Sequence, residues 1–432
     1  MLGSGPAAEG DDRVFDESGR FIMRAFDRQR PMSSFLPGVG GLWGLPMWTF
    51  YVNRGQGVAT FGIENKDGGI LMFQTAEKAY QVTPTVAFRT MIKGSRDGVD
   101  FTAQPFMPAP DTPRRDMFIG SNEMEIEEVD EATGLQTNVL YFTVPDQDFS
   151  ALVRRVTLTN RADTPVELEV IDGLAKLEPF GVTVGALQSM GRTMEGWMHV
   201  YNYDDELTRP FFHLVTSPAD TAEVKLIKEG HFAIAFVEDG DNIDAGSGRH
   251  ELLPIICDQQ AIFGLDTTLT VPGAFFGTGR SLADVLATPQ STTSRTPSAF
   301  AGASLSLAPN ASASISVIYG HAPDLETFLS DILPTLTKAG FVTAARAAAQ
   351  ALTTLMTDRV SMRSGVPLMD NYVKQNYLDN SLRGGMPFTL GAGLPGKKPK
   401  IYHAFSRIHG DLERDYNNLS LIHISEPTRL GM

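Results

Sequence analysis

The feature that most constrains this chain is a period-two alternation of apolar and polar residues over residues 13–320, broken roughly every eight to twelve residues by turn chemistry. Alternation of this kind sends successive side chains to opposite faces of a strand, so it calls for sheets with at least one dry face. Residues 48–63 give two short aromatic and β-branched runs around Asn53-Arg54-Gly55-Gln56-Gly57, and Asn65-Lys66-Asp67-Gly68-Gly69 marks a turn before Ile70-Leu71-Met72-Phe73. This spacing predicts a β-meander. The most regular pair of runs is 152–160 and 166–171, joined by Arg161-Ala162-Asp163-Thr164-Pro165. Read as neighbouring antiparallel strands, they place Val and Leu on one face and Thr, Arg and Glu on the wet one. Further strands are predicted at 211–216, 223–227, 231–237 and 312–319. The fold class is therefore mainly β: a large two-sheet antiparallel β-sandwich of about three hundred residues, within the reach of a single all-β domain.

After Gly320 the period becomes helical. Residues 324–339 and 342–356 carry apolar side chains at helical spacing, with Asp324 as N-cap and Gly340 as the stop of the first helix. A third helix is predicted over 368–382. The organisation is a flexible N-terminus (1–12), a β-sandwich domain (13–320), a helical linker (321–365) and the opening of a further helical region (366–418).

Charge narrows the partners. With 51 acidic against 36 basic side chains the formal charge is −15, which repels nucleic-acid phosphates and anionic lipid surfaces. The single cysteine, Cys257, sits in a strand-like run and reads as a buried, inert thiol. The opening MLGSGPAAEGDD lacks the basic and apolar regions of a leader, and eighteen apolar residues never run together, so the expected location is the cytoplasm.

Several motifs fail on context. Gly391-Ala392-Gly393-Leu394-Pro395-Gly396-Lys397-Lys398 approaches a phosphate loop, but Lys398 stands where Ser or Thr must hold Mg²⁺, and Pro399 with Lys400-Ile401-Tyr402 does not open a helix. Gly38-Val39-Gly40-Gly41, between Pro37 and Pro46, is a tight loop. The eight histidines lack HExxH spacing, and His403 and His409 are six apart, so no metal is predicted. No GxSxG elbow occurs. What remains is polar chemistry late in the chain: Asp370, Tyr372 and Gln375 on the third helix, then the cluster Arg407, His409, Asp411, Arg414, Asp415 and Asn417. Carboxylates, arginines, amides and aromatics together suit a sugar, whose hydroxyls donate and accept while its C–H face stacks on rings. The same residues also suit a solvated, salt-bridged helix surface.

Taken together, Ser33-Ser34-Phe35-Leu36-Pro37-Gly38, Tyr51-Val52-Asn53-Arg54-Gly55-Gln56 and Lys78-Ala79-Tyr80-Gln81 resemble the amino-terminal sandwich of large bacterial inverting glycoside phosphorylases, of the cellobiose-phosphorylase-like and β-1,3-glucan-phosphorylase-like kind. Asp172-Gly173-Leu174, Glu178-Pro179-Phe180-Gly181 and the run from Ser406 to Asn417 add to the resemblance. It implies a β-sandwich, a helical linker and an (α/α)6 barrel, of which residues 366–418 are the truncated start. It also implies phosphorolysis of β-linked gluco-oligosaccharides to α-glucose 1-phosphate, with inorganic phosphate as cosubstrate, no cofactor, and a homodimer paired through the sandwich. The general acid of that family is an aspartate expected beyond residue 418, so no catalytic residue is assigned. Arg407, His409, Asp411, Arg414 and Asp415 are left as substrate-side contacts. Residues 419–429, LSLIHISEPTR, resemble translated sequencing-adaptor read-through, which implies an artefactual tail over 419–432. Two other readings stay open: a hydrolase or glycosyltransferase of the same architecture, and a stand-alone carbohydrate-binding or assembly module.

Overall fold

The computed structural model describes residues 14–36, 47–109, 113–203, 207–218, 222, 226–238, 243–244, 247–358, 362–382, 388–390 and 400–402. These residues form a mainly β protein with antiparallel sheets and few long helices. Sheet I has nine strands in the order Phe21–Arg24, Arg114–Ile119, Glu123–Asp130, Leu135–Thr143, Ser150–Asn160, Ser312–Ala322, Gly230–Val237, Phe211–Leu214 and Met198–Tyr201. Sheet II has five: Ile255–Ile256, Ala299–Leu307, Val166–Leu174, Phe88–Arg96 and Val99–Ala103. Sheet III is the predicted meander, extended by one strand at its start: Ser33–Leu36, Met47–Val52, Val58–Ile63 and Gly69–Leu71.

One apolar core joins all three sheets. Leu152, Val156 and Leu158 of sheet I meet Val166, Leu168 and Val170 of sheet II, with Phe61 and Leu71 from sheet III in the same cluster. The runs 152–160 and 166–171 are thus not neighbours in one sheet. Ser150–Asn160 pairs with Leu135–Thr143 and Ser312–Ala322, whereas Val166–Leu174 pairs with Phe88–Arg96 and Ala299–Leu307. The turn at 161–165 carries the chain from one layer to the other instead of folding it back as a hairpin. Asn160 holds that corner, its amide donating to the carbonyls of Thr164 at 2.8 Å and Leu307 at 3.1 Å while its oxygen accepts from Arg96 at 2.9 Å.

The crossing also relocates Arg154. Its position in the alternation is that of Leu152 and Val156, so it points into the core and not to the wet face, and it is fully buried. Its Nε and Nη2 donate to the two carboxylate oxygens of Asp172 at 3.0 and 2.7 Å. Nη1 donates to the Tyr141 hydroxyl and Nη2 also reaches the Gln56 side-chain oxygen. Thr90 donates to Asp172 at 2.7 Å. The guanidinium lies 5.0 Å from the centroid of the Phe88 ring, a cation–π contact in a dry site. Burial opposes the charge on Arg154, but Asp172 and Tyr141 outweigh it, so its pKa stands above the ordinary arginine value. Gly173, at φ 151°, follows Asp172 because a Cβ there would stand 2.3 Å from the Ala299 carbonyl oxygen.

The outer face of sheet I is dry as well. Leu140, Phe142, Val153, Phe232 and Ile318 pack against Phe328, Ile332, Leu336 and Val342 of the helical segments that follow the last long strand. As predicted, Asp324 caps the first of these, accepting from Thr327 N–H at 2.7 Å. Gly340, with φ 79°, separates it from the helix Phe341–Thr357, whose Arg346 grips Glu123 through two bonds of 2.7 Å. The third helix is Pro367–Leu382, where Asp370 accepts from the backbone N–H of Ser364 at 2.9 Å. Three helical regions inside the β-domain were not legible in the pattern: Ala76–Val86, Val184–Met190 with its 3₁₀ extension, and the short turns between Gln259 and Leu286. The barrel expected from residue 366 onward falls mostly outside the described residues. No helix among the described residues is long and apolar enough to cross a membrane.

Replacing Arg154 by Leu leaves Asp172 buried without its counter-charge. Denaturant unfolding should show a loss of about 3–5 kcal/mol, several-fold more than Arg155→Leu at the half-exposed neighbouring position.

Candidate functional site

A groove of about 800 Å³ lies on the outer face of sheet II. Its floor is set by strand register. Ser304, Glu169, Lys93 and Thr102 are aligned across four strands, and Glu167, Ser95 and Asp100 form a parallel row two residues along. Neighbouring strands lie about 4.8 Å apart, so the four-residue row spans about 14 Å. Glu167 and Glu169 reach this face because they alternate with Val166, Leu168 and Val170, which are buried in the core.

The remainder of the same face is covered. Short helices Gln259–Phe263, Gly273–Phe276 and Leu282–Leu286 lay Ile262, Phe263, Phe275 and Val285 onto Met91, Ile171 and Phe300. Arg89 ties this covering layer to the sheet by donating to the carbonyls of Leu269 and Thr270, and burial holds its guanidinium down at about 10. Asp266 organises the intervening turn. Its carboxylate accepts from the Thr268 hydroxyl and from the N–H groups of Val271 and Thr268, which brings it down to about 2.

Where the covering layer stops, the segment from Phe276 to Arg280 becomes the wall of the groove. It is anchored at both ends: Phe275 is fully buried, and Ser281 and Asp284 form a reciprocal capping box at the start of Leu282–Leu286. Lys93 crosses from floor to wall, donating to the Arg280 carbonyl with its ammonium 5.6 Å from the Phe275 ring centroid. Arg280 in turn donates to the Thr288 hydroxyl at 3.1 Å. The cations are thus held in place, while Glu169, Asp100, Thr102 and Ser304 make no side-chain hydrogen bond to another described residue. Glu167 accepts from Ser306 at 2.6 Å.

A second concentration of titratable groups is internal. His231 is fully buried, its ring nitrogens have no hydrogen-bond partner among the described residues, and its ring packs 5.5 Å from both Phe180 and His321. Burial, and then the neighbouring His321, hold His231 well below the usual histidine range. His321 Nε2 lies 3.3 Å from the exposed Glu229 carboxylate. Among the described residues no group of three or more His, Cys, Asp or Glu is arranged to hold a metal ion. Cys257 is fully buried, and burial pushes its thiol well up, which leaves it without nucleophilic character at neutral pH.

The sequence-predicted contacts Arg407, His409, Asp411, Arg414 and Asp415 lie outside the described residues, as do His403 and the Gly-rich stretch 391–398. On either side of that stretch, Phe388–Leu390 pairs antiparallel with Lys400–Tyr402, so a strand stands where a phosphate loop would require a helix. The groove residues were missed as a set. The alternation marked Glu167 and Glu169 as wet, but nothing local links them to Lys93 or Arg280, which are 74 and 111 positions from Glu167 and Glu169 respectively.

No family model matches the chain, and no curated protein matches it. Among solved structures it is similar to a polysaccharide lyase at TM-score 0.35 and 11% identity, over 66% of this chain and 33% of the lyase. A Klebsiella pneumoniae protein described as a "putative aldose 1-epimerase" gives TM-score 0.27 and 12% identity, over 78% and 93% of the two chains. A "putative kojibiose phosphorylase from human microbiome" gives 0.20 and 7%, over 81% of this chain and 31% of that one. The chain thus spans about a third of the length of the lyase it matches. All three names are those of carbohydrate enzymes, but similarities this low do not say what this chain does.

The buried histidine gives a pH signature. A base held neutral by folding has a lower pKa in the folded state than its unfolded value of about 6.5, so below that value the unfolded chain binds more protons. Stability should fall as the pH drops from about 7 to about 5, and His231→Phe should flatten that limb of a denaturation-against-pH curve; an unchanged slope would remove His231 as its source.

Proposed function

We propose that this chain is the amino-terminal part of a carbohydrate-active enzyme, an inverting phosphorylase acting on β-linked gluco-oligosaccharides with inorganic phosphate as cosubstrate. The observation that carries the reading is where the family-like motifs sit. Asn53 and Gln56 from one quoted motif and Asp172 from another are fully or almost fully buried, Gln56 and Asp172 where the sheets meet. Asn53 donates to the carbonyls of Phe26 and Arg30 at 2.9 Å and accepts from Met32 N–H at 2.8 Å. Gln56 and Asp172 both bind Arg154. Residues with such specific structural duties support a shared scaffold more strongly than surface motifs would. Helical segments follow the last long strand, in the order that a sandwich, a linker and a helical catalytic region would require.

The chemistry assigned to that catalytic region is economical. Phosphate is already an anionic nucleophile, so one oxygen forms the new bond to the anomeric carbon while the glycosidic oxygen leaves with a proton from a general acid. Attack from the face opposite the leaving group turns a β-glucoside into α-glucose 1-phosphate. A cationic and amide cradle for phosphate replaces the second carboxylate that a hydrolase needs to activate water. Arg407, His409, Asp411, Arg414 and Asp415 serve on this reading as substrate-side contacts near the barrel mouth, and the acid is expected beyond residue 418. No further cofactor is required, the setting is cytoplasmic, and pairing of two copies through the sandwich fits the architecture.

On this reading a longer protein continuing past residue 418 releases α-glucose 1-phosphate from a β-gluco-oligosaccharide only when phosphate is supplied, and the 432-residue chain releases none. Both are read by a coupled glucose 1-phosphate assay. Free sugar formed at equal rate without phosphate would replace the phosphorylase with a hydrolase.

A further inference from the structure

We propose that the groove on sheet II is a saccharide-binding site, and that it holds a short β-gluco-oligosaccharide along the row Ser304, Glu169, Lys93 and Thr102. The choice of a β-glucan rests on the function proposed above; the preference for a neutral polyhydroxy ligand rests on the groove alone.

Three properties of the groove select that ligand class. The first is its pattern of donors and acceptors. Sugar hydroxyls both donate and accept, and the floor offers a hydroxyl, a carboxylate, an ammonium and a hydroxyl in line, at spacings fixed by the sheet. Because Glu169, Thr102 and Ser304 make no side-chain hydrogen bond to other described residues, they bind a ligand without breaking an internal contact. A floor of about 14 Å takes a di- or trisaccharide lengthwise.

The second property is the wall. Phe276 is half-buried beside Gly277 and Gly279, and around Gly279 a Cβ would meet open space. An aromatic ring beside unhindered backbone gives the C–H face of a pyranose a surface to stack on. The third is charge. Three carboxylates, Asp100, Glu167 and Glu169, face two cations that are already held by wall carbonyl and hydroxyl groups. That balance disfavours phosphorylated ligands and polyanions. It does not make a cation site either, since among the described residues no three such ligands converge.

The site stands on rigid elements. Its floor spans four strands of a five-stranded sheet, out to the edge strand Val99–Ala103, and its wall is pinned by a buried Phe275 on one side and a capping box on the other. A pre-formed site loses little ordering entropy on binding, which favours capture of a short oligosaccharide.

The test is isothermal titration of the 432-residue chain with cellotetraose and with laminaritetraose, in buffer with EDTA. Binding of either is expected, with affinity lowered at least about tenfold by Glu169→Gln and by Phe276→Ala, as loss of one charge-assisted hydrogen bond or one stacking ring implies. The thermal melt of Glu169→Gln should match the parent, because Glu169 is partly exposed and bonds no other described side chain; Phe276 also packs on the covering layer, so Phe276→Ala is titrated well below its own melting temperature. Absence of heat with both sugars, binding unchanged in the double variant, or binding restored only by added calcium would each overturn the proposal. The outcome is separable from that of the phosphorylase reading. Binding here with no phosphate-dependent product from the longer protein keeps the groove and discards the enzyme class; product without binding here does the reverse.

Discussion

Three sheets meet at one guanidinium. Arg154 comes from sheet I, Asp172 and Thr90 from sheet II, and Gln56 from the turn between two strands of sheet III. A charge taken fully out of water is costly, and the cost is tolerable only when every polar group around it is paired. Phe88, Tyr141 and Tyr319 close over the cluster, with ring centroids of Phe88 lying 5.5 Å from Tyr141 and 5.2 Å from Tyr319. Such an arrangement contributes little net stability compared with an apolar plug of the same volume, but it admits only one relative placement of the layers.

The outer faces then differ in what covers them. Sheet I is sealed by the helical segments beginning at Leu325, through Phe328, Ile332 and Val342. Sheet II is sealed over only part of its face, because the layer between Gln259 and Leu286 stops short of the rows carrying Glu169 and Glu167, where residues 276–280 form its rim. The sequence of sheet II matches this division. Met91, Ile171 and Phe300 face the covering layer, while Lys93, Glu169 and Ser304 continue the same face into solvent. A groove arises where an apolar cover stops and a polar face goes on.

How far this could be read beforehand depends on the range of the interaction involved. Local signals were sufficient for the meander, for Asp324 as a helix cap, for Gly340 between two helices, and for Cys257 as a buried thiol, since each depends on neighbours within a few residues. Arg154 shows the limit. Its position in the alternation, between Leu152 and Val156, already placed it on the apolar face, and the chemical expectation that arginine belongs in water overrode the periodicity. Asp172 lies only eighteen positions away, but a turn of five residues can either reverse a strand or lift it into the opposite layer. The short helices between Gln259 and Leu286 left no clear periodicity because each is too brief to complete two turns.

The sequence by itself determined that this chain is mainly β, where the helices after residue 320 begin, that it is acidic, and which residues alternate toward solvent, because these follow from side-chain period and from charge counted along the chain. Only the tertiary structure decided that 152–160 and 166–171 face each other across a core, that Arg154 is paired inside it, and that Lys93, Glu169 and Arg280 share one groove. Those facts depend on strand register and layer stacking, which are fixed by contacts between residues far apart in sequence and leave no periodic trace within any single segment.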